Sequence, residues 1–154
     1  DSDVTFKSID GVLFRLQKLN LAVNANGFPP TDFQTSDEAV GLSETSDVLE
    51  LLFQFCYPQR HLDLEHLDTN LLVSLAEAAE KYEVFPAMSV CNIRMREIIS
   101  QSPFNVMLYA ARHGYTDIVD TSYKLVLKEP LDEVITKLPP HLVIPWVSPA
   151  YGRH

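Results

Sequence analysis

The stretch Ser46–Tyr82, SDVLELLFQFCYPQRHLDLEHLDTNLLVSLAEAAEKY, constrains the fold of this 154-residue chain more than any other. Val48, Leu51, Leu52 and Phe55 fall at i, i+3, i+4 and i+7, one helical face, while Leu49, Phe53 and Cys56 populate a second. A helix apolar on two faces is either central in its domain or shared with a partner. Ser46 reads as its N-cap, Asp47 favours the helix dipole, and Pro58 stops it. After an acidic connector, Leu72, Leu75, Ala76, Ala79 and Tyr82 make the narrow seam of a second helix, and its small alanines let a neighbour approach closely. Glu77 and Lys81 stand on its solvent side in the favourable i, i+4 order.

Upstream, Val4, Phe6 and Ile9 alternate with polar residues, and Asp10-Gly11 separates them from Val12-Leu13-Phe14-Arg15-Leu16. Two β runs around Asp-Gly predict a hairpin with a tight primed turn, because glycine accepts positive φ. Lys18–Val23 predicts a short helix closed by Asn24-Ala25-Asn26-Gly27, residues that tolerate a left-handed cap. Pro29-Pro30 and the polar run Thr31–Glu38 read as a surface loop, and Val40-Gly41-Leu42 as a short strand.

Downstream, Pro86 suits a first helical turn, and Ala87, Cys91, Met95 and Ile98 form one face. Ser102-Pro103 restarts a helix closed by Gly114, and Thr116-Asp117 caps another that ends before Pro130. Leu131, Val134, Ile135 and Leu138 repeat the helical spacing, and the apolar tail Pro139–Val147 is read as docking on these last helices. An Ala-Ala and a following tyrosine recur at Ala78–Tyr82 and Ala110–Tyr115, consistent with stacked helical hairpins.

With 46% hydrophobic residues the chain can bury a full core without disulfide staples. Cys56 and Cys91 each sit inside an apolar helical pattern and read as reduced, buried thiols, which suits an intracellular protein of cytoplasm or nucleus. A net charge of −9, with 12 basic residues against 21 acidic ones, argues against nucleic-acid binding, which needs clustered Lys and Arg to displace counterions. The longest uncharged apolar run, Leu142–Val147, is too short to span a bilayer, and no secretory signal opens the chain.

Six segments together resemble a BTB/POZ domain over roughly residues 1–100: Asp3-Val4-Thr5-Phe6, Phe14–Leu21, Phe28, Val40-Gly41-Leu42, Leu51–Tyr57 and Leu75–Tyr82. The wording of Gly27–Pro30, Leu49–Pro58, Glu80–Phe85 and Tyr109–Gly114 is similar to the BTB proteins of mushroom-forming fungi. The pattern departs from the family at Gln17, where a histidine is usual, and at Asn26–Pro30. Nothing precedes Asp1 here to supply the extra helix and strand of strand-exchanged dimers.

The resemblance implies an α/β fold, a small mixed sheet flanked by a helical bundle, with residues 101–154 as a C-terminal helical extension. It implies a non-catalytic protein-interaction module that self-associates as a homodimer or acts as an adaptor. The alternative is a substrate adaptor for a cullin-based ubiquitin ligase. Neither cofactor, metal nor small-molecule substrate is implied.

On the same resemblance, Asp3 and Lys18 match an acid–base pair lining the groove at the dimer face, where a buried pair fixes register more than it adds affinity. The bland alternative is an exposed ion pair of little consequence. Leu19, Ala22 and Val23 present the outer side of the first helix, where family dimers meet, or else simply pack in the core. A remote enzyme reading starts from His61–Asp68, with two histidines and four carboxylates. A metalloprotease-type helix places its histidines at i, i+4, whereas His61 and His66 stand at i, i+5. Leu62, Leu64 and Leu67 instead suggest a connector pinned by its leucines, its polar side in water.

Overall fold

A computed structural model describes residues 4–30 and 38–137 of the chain. By its internal contacts the chain divides into two compact units, Asp1–Glu97 and Ile98–His154.

The first unit begins with a hairpin of β1 (Val4–Lys7) and β2 (Leu13–Leu16), followed by α1 (Lys18–Asn24) and β3 (Ala39–Gly41). The sheet is mixed, in the order β2-β1-β3: β1 pairs antiparallel with β2, placing Phe6 opposite Phe14, and parallel with β3, placing Phe6 opposite Val40. Side chains alternate across it as period two requires. Val4, Phe6 and Leu16 are buried, and Lys7, Leu13 and Arg15 are exposed on the other face.

Three helices complete this unit: α2 (Ser46–Gln54), α3 (Thr69–Lys81) and α4 (Phe85–Glu97), with α3 packed against both α2 and α4. Both predicted faces of α2 point inward at Val48, Leu49, Leu52, Phe53 and Cys56, so the helix is central in its unit. The seam of α3 is buried throughout, at Leu72, Leu75, Ala76, Ala79 and Tyr82. An aromatic cluster joins sheet to helices: the Phe53 ring lies 5.8 Å from Phe6, 5.3 Å from Phe14 and 5.7 Å from Phe28. Phe28 in turn stacks on Tyr82 at 4.6 Å, nearly parallel.

Several local expectations are corrected. The hairpin turn is wider than a two-residue primed turn: the Gly11 amide donates to the Ser8 carbonyl at 3.0 Å, and the Ser8 amide donates to the Val12 carbonyl at 2.9 Å. Ile9 and Asp10 thus form the turn, and Gly11 follows at φ 88°, the left-handed bulge of a three-residue loop. Ile9 consequently leaves the strand alternation and is exposed. Helix α1 is not closed by a left-handed residue; Ala25 turns extended and bridges to Val84.

Regular α2 ends at Gln54 in a tightened turn, ahead of Pro58, and Ser46 is its first residue, with Thr45 at the cap position. The Lys81 ammonium reaches beyond its own helix to Glu44 Oε2 at 2.8 Å and Ser43 Oγ at 2.6 Å.

The second unit holds α5 (Pro103–His113), α6 (Thr116–Val126) and α7 (Leu131–Lys137). Gly114 closes α5 in the left-handed conformation, and α5 packs on α6. Phe104, Met107 and Val126 form the shared core, with Leu108 and Tyr123 against it. Tyr115, rather than Thr116, occupies the cap position of α6, without a side-chain bond. The tail Pro139–Val147 lies outside the described residues.

Candidate interaction face

Helix α1 is held by few contacts. Leu21 and Ala25 are buried, and Asn24 Nδ2 donates to the Cys56 carbonyl at 2.9 Å and to the Asn20 carbonyl at 3.0 Å. At the N-terminal end the Gln17 amide points to the Tyr57 hydroxyl at 3.4 Å. With Leu21 and Asn24 turned inward, residues two positions away project outward. Leu19 and Val23 are accordingly 74% and 70% exposed, one turn apart, and Ala22 between them is exposed as well. Core packing is therefore not their role within this chain.

Lys18 is half-buried and lines a groove of about 360 Å³ with Leu21, Ala22, Ala25, Asn26, Phe28, Pro29 and Pro30. Its partner in the acid–base reading, Asp3, lies outside the described residues. The structure thus places Lys18, Leu19, Ala22 and Val23 on one short helix, with the last three open to solvent.

Further exposed apolar residues, singled out by no sequence motif, lie on the hairpin that feeds α1: Ile9, Val12 and Leu13. The signal for them was the strand alternation itself, since Phe14 and Leu16 face inward and Leu13 must then face out. Across residues 4–30 three basic side chains, Lys7, Arg15 and Lys18, stand against one acidic, Asp10, in a chain whose net charge is −9. Phe85 and Ile93 on α4 are also exposed.

The His61–Asp68 connector has Leu64 buried and Leu62 and Leu67 half-buried, while His61, Asp63, Glu65, His66 and Asp68 face solvent. The His61 ring stacks on Phe55 at 5.6 Å, and Asp68 caps α3 by accepting from the Leu71 amide at 2.8 Å. No group of three or more His, Cys, Asp or Glu residues is placed to hold a metal ion among the described residues. Cys56 and Cys91 are free and fully buried, and desolvation pushes both thiols up to about 12.

Two polar anchors brace the region. Glu44 accepts from the Tyr82 hydroxyl and from Lys81; burial alone pushes its carboxyl up, but these hydrogen bonds and the ammonium charge outweigh it and hold it low. Asp10 joins the hairpin turn to the start of α2, and its carboxyl is lowered to about 2, chiefly by the Ser46 hydroxyl and then by Ser8. No helix among the described residues is long and apolar enough to cross a membrane. No protein-family model matches the chain, and comparison with curated proteins finds no match.

Proposed function

We propose that the chain is a BTB/POZ-like protein-interaction module that works through self-association at α1 and its feeding hairpin, without catalysis. The observation that carries this reading is the placement of Leu19 and Val23, 74% and 70% exposed at i, i+4 on a helix whose other side is anchored. Large apolar side chains in such a pair favour a protein partner over water. The order of elements, a hairpin feeding a short helix, a parallel third strand, then α2 and α3 side by side, supports the same reading.

A stable dimer buries on the order of 1,600 Å² in total, more than a two-turn helix offers, so Ile9, Val12 and Leu13 are included in the face. Partner exchange in this region favours contacts of moderate area, with Lys18 setting orientation at the groove.

The test is light-scattering mass across a concentration series, wild type against Leu19→Glu/Val23→Glu. The expected result is a concentration-dependent dimer that the double variant dissociates at least tenfold more readily. A wild type monomeric at every concentration defeats the self-association reading. Retention on an immobilised cullin N-terminal region then marks the adaptor role instead.

A further inference from the structure

Asn26-Gly27 is the one Asn-Gly dipeptide in the sequence, and the fold dictates its glycine. A Cβ at residue 27 would lie 2.7 Å from the Tyr82 carbonyl carbon and 2.8 Å from the Lys81 oxygen, both backbone atoms that cannot give way. The dipeptide docks on the turn between α3 and α4 through three hydrogen bonds. The Asn26 amide donates to the Glu83 carbonyl at 3.2 Å, the Gly27 amide to the Tyr82 carbonyl at 2.9 Å, and Asn26 Nδ2 to Glu83 Oε2 at 3.1 Å. Glu83 holds φ 48°, an uncommon conformation for a residue with a side chain, which turns its backbone toward this contact.

We propose that Asn26 is a latent deamidation site, closed by this docking and opened when the segment detaches. In the reaction the Gly27 amide nitrogen gives up its proton and attacks Asn26 Cγ. The Cγ–Nδ2 bond breaks, the proton leaves with the nitrogen as ammonia, and a five-membered imide remains. One water then opens the imide at either carbonyl, giving aspartate or a chain that runs through the former side chain as isoaspartate. No oxidant or cofactor enters.

Glycine at 27 offers the attacking nitrogen no side-chain obstruction, so the residue that the close approach requires is also the one that makes the bond reactive. In the folded chain that nitrogen's proton is engaged by Tyr82 and the leaving amide by Glu83, so reaction waits on local opening. Asn26 itself is exposed, so water reaches it as soon as the segment detaches.

Isoaspartate lengthens the backbone by one methylene beside the Ala25–Val84 bridge, so the original register cannot re-form. Detachment thereby becomes irreversible, and α1, which ends one residue before Ala25, loses its C-terminal tether. The other acidic candidate, Asp10-Gly11, is braced by Ser46, which holds its carboxylate away from the next amide.

The full chain is held at mildly alkaline pH, native or in urea, and digested; fragment-ion mass spectrometry then follows each asparagine, with Asn26→Gln as the assignment control. In urea Asn26 is expected to lose its amide ahead of every other asparagine, and folding to slow it about tenfold or more. Equal rates in native and unfolded chains overturn the proposal, as does earlier reaction of any other asparagine in urea.

Discussion

The carboxylate of Asp10, in the hairpin turn, caps the helix that begins at Ser46: Oδ1 accepts from the Ser46 amide at 2.8 Å and Oδ2 from its hydroxyl at 2.6 Å. An anion at this position also favours the helix dipole. Because the carboxyl is lowered from 3.8 to about 2 in the folded state, its stabilisation is complete above the unfolded value and disappears as pH falls through that window. Asp10→Ala should lower the melting temperature at neutral pH, and the gap to wild type should close between pH 4 and pH 2, a trend that thermal unfolding across a pH series checks.

Tyr82 carries a ring stacked on Phe28 and a hydroxyl bonded to Glu44. The two contributions separate by mutation. Tyr82→Phe keeps the stack and removes the hydrogen bond, costing about 1–2 kcal/mol. Tyr82→Ala opens a cavity in the aromatic cluster and costs about 3–5 kcal/mol. Urea unfolding of both variants measures the difference; equal losses would mean that the hydroxyl, not the ring, governs.

Gly27→Ala drives a methyl group into the backbone of Tyr82 at 2.7 Å. Since neither side can yield without moving α1 or the α3–α4 turn, the expected loss is about 1–3 kcal/mol, comparable to overpacking a core. Denaturant midpoints at unchanged m-value would register it.

Within α1, stability and association should respond to different residues. Leu21→Ala empties a buried position and should cost about 2–5 kcal/mol. Leu19→Ser, at a site 74% exposed, should stay within about 0.5 kcal/mol in the monomer. Comparing calorimetric unfolding with self-association for the two variants distinguishes them.

Cys56 and Cys91 should resist a thiol reagent in the native chain, since burial disfavours the thiolate. Both should react together on global unfolding. A fast-reacting thiol under native conditions would place one of them at a locally opening site.

Periodicity alone located the buried faces of α2, α3 and α4, because Leu72, Leu75, Ala76 and Ala79, or Ala87, Cys91 and Met95, recur at helical spacing and nothing else buries them so economically. The hairpin was legible from Asp10-Gly11, but its loop length was not. Asp10 turns toward Ser46, a partner 36 residues away that no local pattern reveals. For the same reason the Lys81–Glu44 pair was missed in favour of the nearer Glu77. Gly27 read as a left-handed cap because glycine permits one, whereas its real constraint is a neighbouring backbone remote in sequence. The outward set of α1 residues was readable, since Leu19, Ala22 and Val23 share a side, but whether that side met solvent depended on tertiary packing.

The central position of β1 has a kinetic corollary. Its antiparallel neighbour follows at once, but Thr5 meets Ala39 only after α1 and the intervening segment have been made. Parallel pairing across such a separation carries a large loop-closure entropy and forms late. A nascent chain should therefore pass through a stage in which the hairpin exists with one flank of β1 unsatisfied, and that flank is where a chaperone or a second unfinished copy would attach first.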